Sequence, residues 1–159
     1  MSIPESILGR LNMQLEALGM ILAGATPETL EARPVPSEWS ARENLAHLAR
    51  HAEVFLARIA RIRQEERPVL ARYLAEEDPE WAEWSRLPLS EVLRRLREAR
   101  ARLLAWIRSL SPEEANRTGI HPAFGEMSVA GWLDFFLLHE AHHMYVAMVR
   151  LAEARLKPS

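Results

Sequence analysis

A chain of 159 residues with 48% hydrophobic and 26% charged residues suits a single globular domain, residues 1–159, large enough to bury a continuous core without cross-links. A net charge of −2 gives no basic field for phosphate backbones, so a nucleic-acid partner is not expected. The absence of cysteine excludes disulfides, thiolate-ligated zinc and a nucleophilic thiol of the protein's own. With no run of ~18 apolar residues and no basic-then-apolar leader in Met1 to Glu5, no membrane partner and a cytoplasmic location are expected.

Four segments carry a helical apolar period, and none alternates long enough to suggest a strand, so the predicted class is all-α. Helix A is expected from Pro4 to Gly24, with Ile7, Leu11, Leu18 and Ile21 on its stripe and Gly24 as the stop. The linker Ala25 to Trp39 holds three prolines and the helix-start signal Thr26-Pro27-Glu28, enough for one short turn. Helix B opens at Ser40, where Ser40 and Glu43 fit a capping box, carries Leu45, Leu48, Phe55, Ile59 and Ile62, and is ended by Pro68. Helix C starts near Ser90 and stops before Ser111-Pro112, a second helix-start signal. Ile120 to Gly125 is expected to be an ordered loop, and helix D runs from Ser128 into Arg150 to Leu156. The B-to-C linker, roughly residues 67–89, is long enough to cross the bundle, whereas adjacent antiparallel helices need only ~2 to 8 residues. B and C should therefore run parallel, giving a four-helix bundle with a long crossover, up-down-down-up.

Three of the six histidines, His139, His142 and His143, fall within five positions of helix D. At ~100° per residue from Phe136, His143 lies near −20° and His139 near −60°, both beside the apolar stripe, while His142 points elsewhere. An i, i+4 histidine pair can bridge one metal ion, and neutral imidazole suits zinc, nickel, copper or iron. Two hydrogen-bonded boundary histidines would give the same pattern. A third ligand would decide the matter, and helix B offers His47 and His51, of which the wheel mildly favours His51.

Glu140 falls within the stripe of helix D, where a carboxylate needs a partner. Arg100 occupies the matching inward place on helix C, so a buried Arg100–Glu140 pair is expected, with a catalytic general-base role for Glu140 as the rival. Tyr73, Trp81 and Trp84 in the crossover are expected to cap the bundle, with a pocket wall or dimer surface as the alternative. His121 and Phe124 fit either an ordered turn or a pocket mouth. An apolar surface on helix C or D would support a homodimer.

The stretch Trp39-Ser40-Ala41-Arg42-Glu43-Asn44-Leu45-Ala46-His47-Leu48 resembles the opening of the second helix of DinB-like metal-binding bundles. Met127-Ser128-Val129 with His139-Glu140-Ala141-His142-His143 resembles that family's fourth helix. The resemblance implies a metal triad of His47, His139 and His143 in place of His51. It departs at Met144-Tyr145-Val146. It also implies a divalent ion, zinc or nickel first, and a small-molecule substrate. Some DinB-like proteins are metal-dependent S-transferases acting with a low-molecular-weight thiol of the bacillithiol or mycothiol type, which makes such a transferase the leading expectation. A metal-dependent hydrolase and a non-catalytic metal-binding or sensing module are the alternatives.

Overall fold

The computed structural model describes residues 3–156. Helix A is broken: α1 (Glu5–Met13) passes through a 3₁₀ turn at Gln14–Glu16 into α2 (Ala17–Ile21). At that break the Gln14 side chain reaches across to Leu137 O at 3.0 Å and to Glu140 Oε1 at 2.8 Å. Gly24, at φ +69°, ends the segment in the left-handed region that glycine adopts without a Cβ penalty. The proline linker forms the short α3 (Pro27–Glu31), capped by Thr26.

Helix α4 (Ala41–Gln64) begins at the expected capping box: Ser40 Oγ accepts from Glu43 N–H at 3.1 Å, and Glu43 Oε2 accepts from Ser40 N–H at 2.8 Å. The crossover then holds a 3₁₀ turn at Ala75–Glu77 and the single turn α5 (Trp81–Trp84) before α6 (Leu89–Arg108). After α7 (Pro112–Ala115) comes α8 (Val129–Leu156).

The long-range bonds give the helix directions. Arg42 donates to Ser85 O, Arg102 pairs with Glu53 and Arg63 with Glu114, so positions along α4 and α6 rise together and the two run parallel. Asn44 meets His143 and Phe55 meets Phe136, so α4 and α8 are antiparallel. Arg10 pairs with Asp134 and Arg155 reaches Ala23 O, so α1–α2 and α8 are parallel. The result is the up-down-down-up bundle expected from the linker lengths. Its core packs Leu11, Leu45, Phe55, Leu96, Trp132 and Leu133, all at most 1% exposed. Among the described residues, no helix is long and apolar enough to cross a membrane.

The expected loop before helix D is a hairpin, β1 (Thr118–His121) against β2 (Gly125–Ser128), antiparallel with Gly119 opposite Met127. Strands of four residues are too short to show a period, which is why the sequence pattern reads as loop. Gly119 is needed there: a Cβ would stand 3.0 Å from Ile62 and 3.1 Å from Trp132 Nε1, which donates to Gly119 O at 3.3 Å. Ile120 N–H donates to Pro68 O and Ile120 O accepts from Leu70 N–H, stitching the crossover to the hairpin.

Candidate metal centre

His47 stands in the second turn of α4, and His139 and His143 lie on the facing turn of α8. Their rings converge, with centroids 4.4 Å apart for His47 and His143, 4.6 Å for His139 and His143, and 5.0 Å for His47 and His139. One ring nitrogen from each lies within 4.8 Å of the others, and the Nε2 atoms of His47 and His139 are 3.1 Å apart. Nitrogens sharing a tetrahedral zinc at ~2.0–2.1 Å sit about 3.3 Å apart, a separation the His47–His139 pair is close to.

The protonation states fit ligation. Burial, followed by the neighbouring imidazoles, lowers His47 to about 2; burial with His143 and His142 lowers His139 to about 3. Burial, then His142, lowers His143 to about 4. All three rings are neutral at pH 7, the form that ligates a metal. In the unfolded chain a histidine takes a proton near ~6.5, so between that pH and the depressed folded values the unfolded state binds more protons. Stability of the metal-free protein is therefore full above about pH 6.5 and falls as pH drops toward 4. Thermal melts in chelator across that range check it; a melting temperature that does not fall with acid contradicts the neutral cluster.

Asn44, one helical turn before Leu48, orients one of the three rings. Its Nδ2 donates to Ser40 O at 2.9 Å, leaving Oδ1 to accept from His143 Nδ1 at 2.9 Å. That assigns the His143 proton to Nδ1 and leaves the Nε2 lone pair free. Nδ1 of His47 and of His139 is buried with no hydrogen-bond partner among the described residues, so packing holds those rings. His47 lies between Trp39, at 4.9 Å, and the stacked ring of Tyr73, at 5.7 Å. Asn44→Leu is expected to weaken zinc binding by about 10- to 100-fold with the fold intact. Chelator competition measures it, and unchanged affinity would remove Asn44 from the site.

The cluster forms part of the wall of a cavity of about 580 Å³, open to solvent and also lined by Arg58, Tyr73, His121 and Phe124. His51 lies in this wall, its ring 3.9 Å from that of His139, but outside the group of three converging nitrogens. His142 is exposed, with its ring edge-on to His143. The crossover aromatics divide: Trp84 is buried against the bundle beneath Arg95, while Tyr73 and Trp81 stand beside His47, so capping describes only the first. His121 serves both roles weighed for it, since Nδ1 accepts the N–H groups of Ala123 and Phe124 while the ring lines the cavity.

Glu140 is 1% exposed and is not part of the cavity wall. Arg100 Nη2 donates to both its oxygens, at 2.7 and 2.6 Å, and Gln14 to one, so the expected buried pair is present. Enclosed by these donors and away from the cavity wall, Glu140 fits the structural pairing expected of it better than the rival general-base role. Asn44, Trp39 and Arg58 were not singled out in the sequence. The Ser40 cap, which places Asn44 in the first turn of α4, was the available signal for Asn44.

A bundle whose facing helices offer three neutral imidazoles to a shared point, at the wall of an open cavity, has the layout of a divalent-metal protein. The comparisons with known proteins agree. The chain belongs to the DinB superfamily, whose family model matches residues 10–147. It is 33% identical over 135 residues to the uncharacterized protein YuaE of Bacillus subtilis, covering 77% of this chain and 83% of that protein. It is 30% identical over 109 residues to an Oceanobacillus iheyensis protein provisionally named a metal-dependent hydrolase, covering 67% of this chain and 61% of that one. YfiT from Bacillus subtilis, described as a probable metal-dependent hydrolase of unusual four-helix bundle topology, superposes with TM-score 0.76 at 21% identity. The superposition spans 95% of this chain and 89% of YfiT. The four-helix bundle protein TT2238 superposes at 0.65 with 29% identity, over 89% and 95% of the two chains.

Proposed function

We propose that the protein is a metal-dependent enzyme acting on a small electrophile, with His47, His139 and His143 holding a divalent ion, zinc or nickel. The carrying observation is the convergence of three neutral ring nitrogens at the wall of a cavity of about 580 Å³. An ion bound there would supply Lewis acidity and lower the pKa of a thiol or water that reaches it. The chain's own residues do the rest. Asn44 fixes the His143 ring, Trp39, Tyr73 and Trp81 pack around the His47 ring, and the cavity admits the substrate.

The leading reading is transfer of a low-molecular-weight thiol to the electrophile. The chain has no cysteine to serve as nucleophile, and the carboxylate in the cavity wall, Glu76, is exposed at the rim. A thiol ionises readily and needs little help from a general base. Hydrolysis is the second reading, favoured by His51. Its ring lines the cavity wall beside His139, and burial, then the His139 imidazole, keeps it neutral there, in a position to hydrogen-bond a water. The two separate in one assay: zinc- or nickel-loaded protein with chlorodinitrobenzene and a small thiol, beside an activated ester without thiol. Metal-dependent consumption of the aryl chloride that needs the thiol and disappears in His47→Ala supports transfer. Ester cleavage without thiol supports hydrolysis. Neither turnover leaves a binding module.

A further inference from the structure

The cavity has a second pole, away from the three histidines. Arg58 lies two helical turns past His51 on α4, about 10 Å of axial rise, and is 7% exposed. A buried cation normally has a carboxylate beside it, because an unpaired one is costly. Among the described residues Arg58 has none. One nitrogen, Nη2, donates to Ala71 O at 2.6 Å, the guanidinium lies 5.9 Å from the Trp132 ring centre, and the other nitrogens have no hydrogen-bond partner among the described residues. Arg72, from the crossover, lines the same cavity and is likewise unpaired among the described residues. His121 completes the group. With Nδ1 accepting two backbone N–H groups, its neutral ring carries the proton on Nε2 and is a donor. Burial first, and then the charges of Arg58 and Arg72, push His121 below the ordinary histidine value, which places both guanidinium groups within electrostatic reach of the ring. The carboxylate in the wall, Glu76, is exposed and forms no ion pair with either arginine.

We infer that Arg58, Arg72 and His121 form an oxyanion subsite, so that the small substrate or thiol used by this protein carries a carboxylate or a similar anionic group. A guanidinium offers a planar fork of donors to such a group, and Arg58 has donors left after its bond to Ala71. The inference rests on the proposed metal-dependent function for the location of the reacting end alone. The crossover supplies the Ala71 carbonyl that holds Arg58 and the Arg72 side chain, and the hairpin supplies His121, so two connections join Arg58 of α4 in the anion-binding pole while α4 and α8 build the metal pole.

The test uses full-length protein, metal-free and zinc-loaded in parallel, and two probes, succinate and inorganic phosphate, in chloride-free buffer. Calorimetry measures affinity, and NMR follows the Ala123 and Phe124 amides. Saturable binding is expected for wild type, weakened about tenfold or more in Arg58→Met, severalfold in Arg72→Gln, and abolished in Arg72→Glu. Arg94→Gln, exposed on α6 and outside the cavity, is expected to leave anion binding unchanged. If Arg58→Met does not fold, the exposed Arg72 variants decide. No saturable binding in wild type, or equal affinity in the arginine variants, overturns the subsite. So does binding that requires zinc and survives Arg58→Met, since the anion would then be a metal ligand. Succinate binding by a wild type that takes up no zinc would leave the subsite standing and defeat the metal reading instead.

Discussion

His139→Ala is expected to lower zinc affinity by more than a hundredfold. Loss of a supporting hydrogen-bond partner alone costs a metal site about 10- to 100-fold, and removal of a ligand costs more. The wild type should take up one equivalent, measured by elemental analysis of untagged protein and by competition with a chromophoric chelator. His47→Ala should behave alike, because its Nε2 faces that of His139 at 3.1 Å. His51→Ala is the informative contrast. His51 stacks on Phe136 with centroids 6.0 Å apart and lies outside the converging trio, so zinc should remain bound in that variant. Equal loss in His51→Ala and His47→Ala would mean that the ion sits deeper, toward Phe136, and that the trio is misassigned. Zinc loading unaffected by His139→Ala would end the metal-centre reading.

Arg100→Met is expected to destabilise the fold by about 3–5 kcal/mol, because it leaves Glu140 as a buried carboxylate with Gln14 as its remaining partner. For a domain of this size that is a fall in melting temperature of roughly 10 °C. Arg100 Nη1 also donates to Leu11 O, so the side chain ties α6 to both α1 and α8. The double variant Arg100→Met/Glu140→Leu should recover much of the loss, since a buried ion pair is often replaceable by apolar groups of similar volume. Zinc uptake should be retained in the double variant, Glu140 being outside the cavity. If the double variant is as stable as wild type yet inactive in the turnover assay, Glu140 has a role in the reaction that its enclosure does not explain.

The bundle was legible because each long helix buries a stripe, and stripes have a period. Leu96 and Leu103 on helix C, and Phe136 and Ala147 on helix D, are buried where the spacing puts them. The Ser40 capping box was legible because it is a local exchange of two hydrogen bonds within four residues. His139 and His143 followed from the same period, whereas His47 did not. The wheel assumes one buried face, and α4 is covered by α6, α8 and the crossover together. From Ala41 to Ala49 every residue except Arg42 is buried, so angle carries little information there. Resemblance to a family supplied what periodicity lacked. The break after Met13 was hidden because its cause is a tertiary one, Gln14 bonding to α8. Arg58 was hidden for a similar reason: the loop carbonyl that holds it is 13 positions away, and nothing in the helical pattern marks it as unpaired.

The facing Nε2 atoms of His47 and His139 belong to residues 92 positions apart. An ion shared between them would be a removable fastener joining the two halves of the chain, and whatever it contributed to holding them together would depend on how much free metal surrounds the protein. At a free concentration of about a thousand times its dissociation constant it would add roughly 4 kcal/mol to the folded state, and nothing when metal is withdrawn. The cell's supply of the ion would then set how long this protein survives as well as whether it is active.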